Sequence, residues 1–76
     1  MSFDAESCGA RIRSLRKKHG FSKKRLAEAM NITNWYLRQI ESGAGMGSAE
    51  LLAEFADYFH VPLEYIIPGR KNPAEE

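Results

Sequence analysis

The side chains of this sequence best suited to directional hydrogen bonding crowd into one short stretch, Thr33-Asn34-Trp35-Tyr36-Leu37-Arg38-Gln39. Arginine presents a planar fork of donors, and asparagine and glutamine each set a donor beside an acceptor, so all three match flat heterocyclic edges through paired hydrogen bonds. On the edges of double-stranded DNA, arginine favours guanine and the two amides favour adenine, with about 1 to 3 kcal/mol of discrimination per pair. If Leu37 and Ile40 point inward, the 3.6-residue period turns Asn34, Trp35, Arg38 and Gln39 outward together. Trp35 then has two readings. It packs on a thymine methyl or a sugar, or it joins Tyr36 in an apolar patch over the edge of a core.

A second chemistry sits at Ser22-Lys23, where a helix start exposes free backbone N–H groups that attract an anion such as a phosphate. Lys24 and Arg25 either add to that attraction or remain solvated charges. Catalysis has no comparable support: no nucleophile-base pair or carboxylate dyad recurs at informative spacing, and 76 residues leave little room for a substrate pocket. Neither an enzyme nor a small-molecule site is expected. Cys8 has no second cysteine to pair with, and His19 and His60 stand far apart without zinc-ligand spacing, so no metal or cofactor is expected either. No stretch approaches the roughly 20 apolar residues of a membrane span, and no signal-peptide core precedes the helices. A cytoplasmic location follows as the expectation, which makes the glycosylation pattern Asn31-Ile32-Thr33 a chance match.

Taken alone, a net charge of +1 argues weakly against a polyanionic partner. Its distribution says otherwise. Residues 1–40 carry nine basic and three acidic side chains, whereas residues 41–76 carry two basic and seven acidic ones. A phosphate backbone responds to the field of one face, so a nearly neutral chain still presents a basic footprint.

The elements that must position these groups are helices, because apolar residues recur three and four apart and no alternating β-branched run appears. Ile12 and Leu15 mark a first helix over residues 7–19, stopped by Gly20. Ser22 caps a second over residues 23–30, with Leu26, Ala27 and Met30 inward, and Asn31 ends it. Thr33 caps a third over residues 34–42, stopped by Gly43. After the glycine-rich loop at residues 43–47, Ser48 caps a fourth over residues 49–59, with Leu52, Phe55, Ala56 and Phe59 inward. Val61-Pro62 breaks it before a last short helix over residues 63–67, and Pro68-Gly69 closes the fold. The all-α domain therefore spans residues 7–69, with a polar tail at 70–76.

Helices two and three with their tight turn have helix-turn-helix spacing, in which one helix braces another for the major groove. The residues also resemble a family, the Cro and C1 repressor type of helix-turn-helix domain, or Xre family. The likeness is carried by Gly9-Ala10-Arg11-Ile12-Arg13-Ser14-Leu15-Arg16, Gly20-Phe21-Ser22, Leu26-Ala27-Glu28, Ile32-Thr33, Ile40-Glu41-Ser42-Gly43, Ser48-Ala49-Glu50 and Val61. This resemblance implies a five-helix, lambda-repressor-like fold that binds double-stranded operator DNA as a two-fold homodimer. It places Thr33, Asn34, Trp35, Arg38 and Gln39 at bases and flanking phosphates; with the anion-attracting helix start at Ser22 and Lys23, the expected phosphate contacts are Ser22, Lys23, Thr33 and Tyr36. It also sets Arg16 opposite Glu41 as an ion pair. Two departures stand out: lysine replaces the family's usual glutamine at Lys23, and the loop Ala44-Gly45-Met46-Gly47 lacks the basic residues and proline common there.

For the homodimer, Tyr65, Ile66 and Ile67 are the candidate contacts, with Phe59 beneath them; the alternative is that both isoleucines fold inward on the fourth helix. Two other functions compete with a transcription regulator. One is a protein-interaction module docking through Trp35, Tyr36 and Met46, and the other is the antitoxin of a toxin-antitoxin pair.

Overall fold

The computed structural model describes residues 5–45 and 47–67, and these form five helices in sequence. They are α1 (Ala5–Lys18), α2 (Lys23–Met30), α3 (Asn34–Ser42), α4 (Ala49–Phe59) and α5 (Leu63–Ile66). Three of them start on a hydroxyl side chain. Ser22 accepts a hydrogen bond from the Arg25 amide at 3.1 Å, Thr33 from Tyr36 at 3.0 Å and Ser48 from Leu51 at 3.1 Å. Each bond satisfies an amide that the first helical turn leaves without a partner.

The stops are left-handed residues: Asn31 at φ 60°, Gly43 at φ 85° and His60 at φ 59°. His60 was not foreseen from the sequence. Its amide donates back to Ala56 and Asp57, so α4 is closed by its own cap before Val61-Pro62 is reached. Helix α1 begins two residues earlier than its apolar pattern suggests. Its first turn lies against the end of α3, where a Cβ built on Gly43 would stand 2.7 Å from Glu6 Cγ. A tertiary contact thus extends the helix beyond its sequence signal.

One core holds the five helices together. Ile12 and Leu15 from α1, Leu26, Ala27 and Met30 from α2, and Leu37 and Ile40 from α3 meet Leu51, Leu52, Phe55, Ala56 and Phe59 from α4. Helices α1 and α3 approach so closely that a Cβ on Gly9 would overlap the Ile40 carbonyl oxygen and crowd that of Glu41. Only glycine lets the two backbones touch there.

Ile66 and Ile67 also belong to this core, at 0 % and 2 % exposure, so neither offers a surface for a dimer contact. A core this small must recruit apolar groups from its last turn to close against α1 and α4. Of the three candidates only Tyr65 keeps exposed surface, and it lies beneath the Arg11 guanidinium, 4.9 Å from its ring centre. Met46, Pro68-Gly69 and the tail at 70–76 lie outside the described residues. Among the described residues no helix is long and apolar enough to cross a membrane.

Candidate nucleic-acid interface

Helix α3 is gripped from one side and open on the other. Leu37 and Ile40 are buried, and at its C-terminal end Glu41 is locked to Arg16 of α1. Arg16 Nε donates to Glu41 Oε2 at 2.8 Å and a terminal nitrogen donates to Oε1 at 3.2 Å. Its other terminal nitrogen donates to the Phe21 carbonyl at 2.8 Å. One buried guanidinium therefore ties together α1, the segment leading into α2, and the last turn of α3. Both carboxylate oxygens and all three guanidinium nitrogens are engaged, which is what makes burial of the pair tolerable.

The free side of α3 carries Asn34, Trp35 and Arg38, all exposed, with Gln39 half-buried beside them. Trp35 is 65 % exposed, the most exposed large apolar side chain among the described residues. Tyr36 behaves differently: its ring packs against the core edge and is half-buried. Trp35 does not share that packing against the core. The backbone around Gln39 is fixed from the loop, since the Gly45 amide donates to its carbonyl at 3.0 Å.

The starts of α2 and α3 flank this surface. The Ser22 and Thr33 hydroxyls already accept from their own helices, which leaves each hydroxyl proton free to donate to an anion. Lys23 is exposed and lines an open cleft of about 230 Å³ with Arg13, Arg38, Glu41 and Ser42. Arg25 turns the other way and stacks over the Phe21 ring at 4.3 Å. Sequence reasoning did not single out Arg13. It lies in α1, apart from the helix-turn-helix, and only folding brings it beside Lys23 and Arg38.

The helix-turn-helix family profile matches residues 12–66, which contain nearly all of the elements just described. The chain belongs to the Cro/C1-type helix-turn-helix family, the Xre family. Among similar proteins of this family is the HTH-type transcriptional regulator YazB of Bacillus subtilis, 32 % identical over 90 % of this chain and 99 % of its own length. An HTH-type transcriptional regulator of Mycobacterium tuberculosis is 36 % identical over 88 % of this chain, which spans about half of that protein, 49 %. Among solved structures, the clp gene regulator ClgR of Corynebacterium glutamicum superposes with a TM-score of 0.77 at 29 % identity, covering 90 % of this chain and 88 % of that one. The DNA-binding domain of BldD gives 0.75 at 28 % identity, covering 90 % of this chain and all of its own. ClgR and the BldD domain thus share this chain's fold, and the relatives are named as transcriptional regulators.

Proposed function

We propose that this chain, a DNA-binding transcription regulator of the helix-turn-helix family, lays α3 in the major groove and reads a specific double-stranded sequence there. The observation that carries the reading is the free face of α3. Asn34 and the strongly exposed Trp35 stand at its N-terminal end with Gln39 one turn on, while Leu37, Ile40 and the Arg16–Glu41 pair hold the opposite face. In this arrangement Asn34, Trp35, Arg38 and Gln39 face the base edges, and Ser22, Lys23, Thr33 and Tyr36 meet the flanking phosphates. The basic N-terminal part of the chain supplies the attraction. We further propose that the chain binds a palindromic operator as a homodimer, in the cytoplasm and without a cofactor, a reading supported by its family likeness.

Selection of a preferred duplex from a random pool, followed by binding titrations, tests this. Gln39→Ala costs about 1 to 3 kcal/mol on the selected duplex and far less on an arbitrary one, because only base contacts carry sequence information. Lys23→Ala weakens binding to both duplexes alike. A protein-docking face gives the opposite pattern: Trp35→Ala dominates, as aromatic anchors do in interfaces, and Gln39 matters little. Equal shifts on both duplexes for Gln39→Ala and Lys23→Ala would falsify the assignment of α3 as the reader.

A further inference from the structure

We infer that Arg13, Lys23 and Arg38 form one phosphate clamp, which makes Arg13 a DNA-contacting residue from outside the helix-turn-helix and turns Arg38 from base reading to backbone binding. The inference rests on the DNA-binding reading above and adds to it a ligand for a specific cleft.

The cleft lies where α1, the start of α2 and the C-terminal half of α3 converge, and Arg13, Lys23 and Arg38 each line it from a different helix. Its acidic wall is already spent. Both oxygens of Glu41 bind the Arg16 guanidinium, so that carboxylate neutralises none of the three cations facing it. The Ser42 hydroxyl is used as well, donating to the Gln39 carbonyl at 3.1 Å and accepting from the Ala44 amide at 3.3 Å. Among the described residues no carboxylate stands within ion-pair distance of Arg13, Lys23 or Arg38.

Three unpaired cations around a single recess repel one another, and a bound anion reverses that cost. A water molecule takes about 30 Å³ of liquid volume, so a recess of this size accepts a phosphate group with its ester oxygens. Two arginine forks and one ammonium match the charge and the acceptor geometry of a phosphodiester better than they match any neutral group. The location decides which phosphate is meant. Lys23 opens α2 beside the free face of α3, so the anion within reach when α3 enters the groove is one on the DNA backbone.

This also accounts for Arg38. Its fork suits guanine, yet its side chain lies in the cleft with Lys23, on the flank of α3 that faces α1 and α2. Sequence reading then falls to Asn34, Trp35 and Gln39.

The test is a salt titration of wild-type and variant chains on a fluorescent duplex of arbitrary sequence and on the selected one, with thermal midpoints recorded alongside. Arg11→Ala is the control, because it removes the same charge from the same helix while Arg11 lies over the Tyr65 ring. Arg13→Ala and Arg38→Ala each lower the slope of log affinity against log salt by about one unit, equally on both duplexes, at unchanged midpoints. Arg11→Ala changes the slope far less. If Arg13→Ala matches Arg11→Ala, or if Arg38→Ala weakens only the selected duplex, the clamp is overturned while the DNA reading stands. A wild-type chain that binds neither duplex overturns both.

Discussion

The Arg16–Glu41 pair shows how much a single buried charge governs in a chain of 76 residues. Its side chains are 8 % and 3 % exposed, and its three hydrogen bonds span α1, α3 and the approach to α2. Removing one partner leaves the other charged, buried and uncompensated, at a cost of about 3 to 5 kcal/mol. Glu41→Ala therefore lowers the thermal midpoint by about 12 °C or more, since a domain of this size moves about 4 to 8 °C per kcal/mol. Replacing both partners with apolar residues, as in Arg16→Met with Glu41→Leu, recovers much of that loss because no charge is stranded. A drop of only a few degrees for Glu41→Ala would show that the pair is solvated and worth under about 1 kcal/mol. From the sequence, this pair rests on the family resemblance and on the adjacency of each residue to an inward-facing one. The cleft beside it was illegible, because Arg13, Lys23 and Arg38 are separated by other helices and turns and meet only through the packing of α1 on α3.

Helices were legible wherever capping chemistry is local. The bounds of α2, α3 and α4 follow from Ser22, Thr33 and Ser48 at their starts and from Asn31 and Gly43 at two of their ends, all of which act within a few residues. The two extra residues at the start of α1 were not, and the sequence left the inward packing of Ile66 and Ile67 as one of two alternatives, for both depend on partners distant in sequence. Gly9 is a case where local and tertiary preferences oppose each other. Within a helix, alanine is favoured over glycine by about 1 kcal/mol. At this site, however, a methyl group meets the backbone carbonyls of Ile40 and Glu41, and forcing a group into packed space costs about 1 to 3 kcal/mol. Gly9→Ala consequently destabilises the domain despite its better helix propensity, and it weakens operator binding further by displacing α3 from α1. Thermal melts and duplex titrations measure the two effects separately; a raised midpoint would mean that the two helices do not approach as closely as described.

Charge divides the molecule into a basic part that carries the start of α3 and an acidic part that carries α4 and α5. The division bears directly on the proposed homodimer. A two-fold dimer sets its reading helices about 34 Å apart, one turn of DNA, and its contact must lie away from the groove. With Ile66 and Ile67 committed to the core, the surface left near α5 consists of half-buried Tyr65 and Leu63 flanked by exposed Glu64. Arg11 covers Tyr65, so where the two-fold axis passes beside Glu64 the two copies of that carboxylate face each other, and self-association there works against like-charge repulsion. Added salt screens that repulsion, the Debye length shrinking from about 30 Å at 0.01 M to about 8 Å at 0.15 M. The same salt strengthens the competition of counterions for the DNA phosphates. Two opposite responses therefore mark the dimer: sedimentation shows more dimer as salt rises, while affinity for duplex DNA falls. Sequence spacing gives a second signature, since moving the two halves of a palindromic site half a turn apart places one reading helix on the wrong side of the duplex and removes the gain from the second subunit. A chain that sediments as monomer at every salt concentration, with and without DNA, and binds both spacings equally, acts on its operator as a single subunit.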